Sequence, residues 1–271
     1  MSLSYSALKG ATSETVRQAI RTGQYRGHTA GLCPGLLQAN LVILPEDYAL
    51  DFMRFCQRNP RACPLVGVSD TGVPSIEMLG HFDLRSDLPA YNAYRSGVLA
   101  DSPSDISTLW RDDLVAFALG CSFTFEAALQ AEGIALWHIE NDTTVPMFRS
   151  AIRAKSAGPF EGPVVVSMRA VPQERLTEVQ AISARFPHAH GAPVHTGDPA
   201  KIGIADLNRP DWGDPAPVPP DHVPVFWACG VTPQAAIAAA RPSFCITHKP
   251  GHMLIADIPD QAEALDILDL P

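Results

Sequence analysis

The sequence predicts an α/β fold: a mixed sheet flanked by helices, with a second, smaller α+β domain inserted in the middle of the chain. Two observations carry this. Short apolar runs alternate with amphipathic stretches in three strand–helix–strand units, and that alternation stops near residue 75 and resumes past 155. The expected partition is therefore a discontinuous α/β domain, 1–74 with 156–271, around an α+β insert at 75–155.

The first unit runs ANLVILP (39–45), EDYALDFMRFCQRN (46–59), CPLVGVS (63–69). The second runs GPVVVSMRAV (162–171), PQERLTEVQAISARF (172–186), then a polar turn into GAPVHTG (191–197). The third runs VPVFWAC (223–229), TPQAAIAAA (232–240), SFCITHKPG (243–251), with HMLIADI (252–258) as a further strand. The opening runs are short, apolar and rich in β-branched residues, as in strands buried on both faces. Thr232 before Pro233 is an expected N-cap with proline at the first helical position. In the insert, LWRDDLVAFALG and FTFEAALQAEG are expected as successive helices, Ser122 capping the second, and IALWHIE as a strand. The six prolines of RPDWGDPAPVPPDHVP (209–224) exclude a helix and predict an ordered loop.

At 271 residues, 46% hydrophobic and 18% charged, the chain has the composition of a globular protein with a sizeable core. No apolar run approaches the roughly 20 residues of a membrane helix. The first residues lack a secretory signal, and a cytoplasmic protein is expected. A net charge of −9 without a basic block argues against nucleic acid or an anionic membrane as partner. A small carboxylate remains a fitting partner, because one or two arginines suffice to hold it. A homo-oligomer is compatible with the sequence. The six cysteines form no CxxC pair, so neither a zinc ribbon nor a disulfide scaffold is spelled out, and reduced thiols are expected.

Candidate chemistry gathers where strands end. GCSFTFE (120–126) places Cys121, Ser122 and Glu126 at a helix start, which attracts anions and lowers a thiol pKa. Its likeness to a G-x-S-x-G elbow is superficial, since an elbow needs a strand before the serine where LWRDDLVAFALG reads as a helix, and Thr124 replaces the second glycine. The turn HAHGAPVHTGD supplies His188, His190, His195 and Asp198; VVVSMR supplies Ser167 and Arg169; VFWACGVTP supplies Cys229; CITHKPGH supplies Thr247, His248 and His252. No metal is expected, because Pro250 and Gly251 break the helix that His248 and His252 would need and no zinc pattern is completed. Asp83, Arg85 and Asp87 alternate in FDLRSDLPAY, a solvated surface ladder, a salt-bridged clamp holding a loop, or, with Arg85, a carboxylate anchor.

Ten stretches in order, among them CPGLLQANLVILP, DLRSDLPAY, LWRDDLVAFALGCSFTFEAAL, VPMFR, HGAPVHTGDPAKIGI, VPVFWACGVTPQ and ITHKPGHMLIAD, resemble the D-glutamate cyclase family from about residue 25 to 257. The chain departs from that pattern at Ser86, Ala90, Asn92 and Trp137. The resemblance implies a hydro-lyase that closes D-glutamate to 5-oxo-D-proline with loss of water. No phosphate loop or dinucleotide fingerprint appears, so no cofactor is expected. The catalytic candidates are Cys121, Ser122, Glu126, His190, His195 and Asp198. The substrate-binding candidates are Asn40, Arg85, Asp87, Arg149, Arg169, Cys229, Thr232, His248 and His252. The expected roles are base for His190 or His195, acid for Glu126, and orientation of a histidine for Asp198. Two rivals stand beside this reading: a thiol-dependent amidase or hydrolase using Cys121 or Cys229, and a non-catalytic protein that binds a small anion.

Overall fold

A computed structural model describes residues 2–141 and 143–260. Two short helices, α1 (Tyr5–Leu8) and α2 (Ser13–Arg21), come first. Ser4 and Thr12 cap them, each accepting a backbone N–H in the first turn. Then follow β1 (Leu36–Pro45), α3 (Glu46–Arg58), β2 (Leu65–Val68), β3 (Tyr91–Arg95), β4 (Val98–Asp101), β5 (Leu114–Gly120), α4 (Phe123–Ala131) and α5 (Trp137–Glu140). The remainder is β6 (Met147–Arg153), β7 (Pro163–Pro172), α6 (Leu176–Ala184), β8 (His195–Thr196), β9 (His222–Ala228), α7 (Thr232–Ala240), β10 (Phe244–His248) and β11 (Leu254–Pro259).

The strands form two sheets with helices packed on them, the expected α/β class. A seven-stranded sheet has the order β2-β5-β1-β10-β3-β4, with β11 also paired to β1; a four-stranded sheet has the order β6-β7-β9-β8. All the strand pairs of the two sheets are antiparallel. The strand–helix–strand units are present, yet β1 and β2 are not neighbours, since β5 lies between them. Strands from the 75–155 segment divide between the sheets: β3, β4 and β5 join β1, whereas β6 pairs with β7. Sheet membership thus changes at β6 and again at β10 rather than at residues 75 and 155.

Two local expectations are corrected. LVAFALG is the central strand β5, not a helix; all seven of its residues are buried, and a strand covered on both faces has no alternation to distinguish it from a buried helix. IALWHIE is not a strand: Ile134 and Leu136 anchor it in the core and residues 137–140 form one helical turn.

The main core lies between the sheets. Val42, Leu44, Phe117 and Leu119 face Val166, Met168 and Phe226, with Phe52 and Phe55 of α3 wedged among them. The other face of the large sheet carries a second core with Leu84, Leu88 and Tyr91. The outer face of the small sheet is covered by α4 and α6 through Phe125, Leu129, Val179 and Trp227. Arg17 of α2 ties the N-terminal segment to β11 through Asp257, at 2.8 and 2.9 Å.

Candidate functional site

Two strand-to-helix junctions meet. β5 ends at Gly120 and passes through Cys121 and Ser122 into α4; β9 ends at Ala228 and passes through Cys229, Gly230 and Val231 into α7. Asn40 of β1 lies between them. Its Nδ2 donates to the Gly120 carbonyl at 2.9 Å, and its amide packs so closely on Gly230 that a Cβ there would lie 2.3 Å from Nδ2. The turn before His190 closes over Gly120, where a Cβ would stand 1.6 Å from the His188 carbonyl oxygen. These two glycines permit the close approach.

At the centre lies a buried ion pair. Arg169 of β7 and Glu126 of α4 are each 3% exposed. The guanidinium donates to Glu126 Oε1 from Nε at 3.0 Å and also from Nη2, to Ser122 Oγ from Nη2 at 3.0 Å, and to Ser167 Oγ from Nη1 at 2.8 Å. Its carbon lies 5.1 Å from the Phe125 ring centroid and 5.3 Å from that of Trp227, both within cation–π range. The strand register explains the grouping: Ser167 pairs with Trp227 and Arg169 with Val225, so all four share the sheet face that α4 covers. His138 of α5 completes the group, with Nε2 3.2 Å from Glu126 Oε1 but poorly aligned for a hydrogen bond.

The electrostatics follow from this packing. Burial alone would raise the Glu126 pKa, but Arg169 and His138 overcome it and hold the carboxyl at about 2. The pairing with Arg169 thus favours the carboxylate of Glu126, whereas the role of acid expected for it needs the protonated form. Burial pushes the Cys121 thiol up to about 12 despite the Phe123 N–H, and it raises Cys229 as well. The helix starts thus do not activate these thiols; desolvation outweighs the N–H donors. His190 Nδ1 lies 2.7 Å from the Arg61 carbonyl, and burial brings its pKa down to about 4.

Other expectations change on inspection. Ser122 does not cap α4 with its side chain; its hydroxyl accepts from Arg169 instead. Thr232 is the first residue of α7, and its Oγ1 accepts the Val165 N–H at 3.0 Å, so it pins the helix to β7. His195 stands opposite Phe226 on the inter-sheet side of the small sheet, its Nε2 2.8 Å from the Asp198 carbonyl, and does not reach the ion pair. It is that carbonyl which meets the histidine, because the Asp198 carboxylate caps the 3-10 turn at Ala200. Arg85 pairs with Asp83 at 2.7 Å, and the fully buried Asp87 is held by Arg21 at 2.6 Å. Arg149 is exposed, 4.9 Å from the Trp212 ring centroid and 3.9 Å from Asp211. His248 sits with Nδ1 3.1 Å from the Leu41 N–H, and His252 has its own Nδ1 2.9 Å from the Pro250 carbonyl. Burial lowers the pKa of both, that of His248 to about 4. Among the described residues, no three His, Cys, Asp or Glu side chains are grouped to hold a metal ion, and no helix is long and apolar enough to cross a membrane.

The cluster thus unites Asn40, Cys121, Ser122, Glu126, Arg169, His190 and Cys229, with Cys229 the most accessible of them. Sequence reasoning passed over His138 and Trp227. For His138 the one available signal was an imidazole between two large apolar residues, hidden by the expectation of a strand.

A family model described as D-glutamate cyclase matches residues 115–257. A relative from Dinoroseobacter shibae, named "Putative hydro-lyase", is 67% identical over 260 residues, which cover 96% of this chain and 87% of that one. Another so named, from Ruegeria pomeroyi, is 64% identical over 264 residues, 97% of this chain and 96% of the relative. A third, from Bordetella petrii, is 55% identical over 251 residues, covering 92% and 95%. The matched region holds both junctions, the ion pair and His138, and with relatives this similar along nearly the whole chain the conclusion is plain: this chain belongs to the D-glutamate cyclase family.

Proposed function

We propose that this chain closes D-glutamate to 5-oxo-D-proline with loss of water, at the cluster around Glu126 and Arg169. The observation that carries the reading is a buried, fixed cation–carboxylate pair beside two helix starts that Asn40 brings together. Ring closure builds negative charge on the side-chain carboxyl oxygen, and backbone N–H groups at helix N-termini are fixed donors for such an oxygen. Arg169 spends four donated hydrogen bonds on Glu126, Ser122 and Ser167, which leaves one Nη1 hydrogen for the substrate's other carboxylate. Its main task is then to fix Glu126 and Ser122.

A thiol-dependent amidase would need a thiolate at Cys121 or Cys229, and burial works against one at both positions. The test is mass spectrometry of the protein incubated with D-glutamate, L-glutamate and other amino-dicarboxylates. A product lighter by one water that co-elutes with 5-oxo-D-proline is expected from D-glutamate. No such product from any of them ends this reading.

A further inference from the structure

The short helix α5 is built inside out. Trp137 and Ile139 are 44% and 40% exposed, whereas His138 between them is 6% exposed. Burial of a large apolar side chain stabilises, whereas a polar ring costs free energy to bury. Packing alone would choose the opposite rotation of this turn. What the observed rotation achieves is contact: His138 Nε2 comes within 3.2 Å of Glu126 Oε1 while making no aligned hydrogen bond. A buried imidazole held against a carboxylate in a close but poorly aligned contact calls for a reason, and a catalytic role is one of the few available.

The other ionisable groups of the cluster are already committed. Glu126 is a carboxylate paired to Arg169, Cys121 and Cys229 are protonated thiols, and His190 gives Nδ1 to the Arg61 carbonyl. The charged groups facing the His138 ring are Glu126 from α4 and, behind it, Arg169 from β7; Glu140 on α5 itself is exposed. The turn that carries the ring is exposed at Trp137, Ile139 and Glu140.

We propose that His138 carries the protons in this site, with Glu126 as the residue that positions its ring. This rests on the dehydration reading above. Closing glutamate forms the C–N bond, breaks a C–O bond and moves two protons from nitrogen to the departing oxygen. His138 takes each proton from the nitrogen and gives it to the oxygen, which leaves as water, so the ring ends in the state in which it began.

The experiment compares wild type, His138→Ala, His138→Gln and the outward-facing control Trp137→Gln, in pH–rate profiles for conversion of D-glutamate with and without added imidazole. Both His138 variants should fold, as judged by circular dichroism and thermal melts, and lose roughly 10²-fold or more in kcat with KM little changed. They should also lose the limb of the profile that the ring contributes. Imidazole should restore part of the activity to His138→Ala but not to His138→Gln, and Trp137→Gln should match wild type. Activity in His138→Ala that equals wild type overturns the assignment. So does a loss uniform across pH without imidazole rescue, which is the mark of a structural residue. Should His138→Ala fail to fold, the profile of His138→Gln decides. Absence of product from wild type itself is a different result: it overturns the dehydration reading, and this assignment falls with it.

Discussion

Arg169 and Glu126 are both almost wholly out of water, so removal of either strands the other. Glu126→Gln is expected to destabilise the protein by about 3–5 kcal/mol, more than an exposed pair would lose. Urea titration measures this, and Glu126→Gln combined with Arg169→Met should recover part of the loss. The same residue shapes acid stability. The folded Glu126 pKa of about 2 lies below the unfolded value, so its contribution is present above the unfolded pKa and fades as pH falls from about 5 towards 2. His190 and His248 act earlier, because both are held near 4 by burial. The unfolded chain binds protons at these histidines from about 6.5 downward while the folded chain resists, so stability falls between about 6.5 and 4. Urea midpoints at pH 7.5, 5.5 and 4 should decline steadily; a flat profile over that range contradicts the burial of these rings.

The strand-to-helix junction is the element that builds the site twice. Gly120 and Gly230 are the residues that let backbone and the Asn40 amide come so close. Gly230→Ala is expected to perturb the site by pushing Asn40 off the Gly120 carbonyl, with a clear loss of stability or turnover. In an Asn40→Ala background the same substitution should cost far less, and a double-mutant cycle reads this coupling directly. Gly120→Ala has no such remedy, since its clash is with the backbone of residue 188 rather than with a side chain. At this scale the sequence was legible in part. Strands β1, β7 and β9 and helices α3, α6 and α7 have clear patterns and stand where the patterns put them. β5 was missed because both of its faces are covered, and α5 because four residues are too few for any periodicity.

Over the whole molecule, one aromatic cluster joins the sheets. Phe52 is fully buried, with ring centroids 4.9 Å from Phe117 of the large sheet and 5.2 Å from Phe160 beside the small one. Phe52→Ala should therefore cost about 3–5 kcal/mol through lost transfer and the cavity left behind. A thermal melt checks this, and a shift of only a degree or two would mean that the two sheets do not rely on this contact. The same cluster holds the two junctions in register, since β1 and β5 pack through it onto β7 and β9.

What the sequence determined alone was the class of the fold and most strands and helices of its clear units; it also singled out the string GCSFTFE, Arg169 and Cys229, which the fold brings together. Those follow from local rules: period, capping, glycine and residue type act over a few positions. Only the tertiary structure decided how the strands are ordered, that Glu126 meets Arg169 across 43 residues of chain, and that His138 turns inward. It also decided that Asp198 caps a turn, that Thr232 pins a helix, and that His195 faces the other side of its sheet. The reason is that ionisation and partnership are set by desolvation and by neighbours distant in sequence. A carboxylate and a buried guanidinium look the same in the chain whether they meet or not; their pairing, and the charge each keeps, exists only once two sheets and a helix have closed around them.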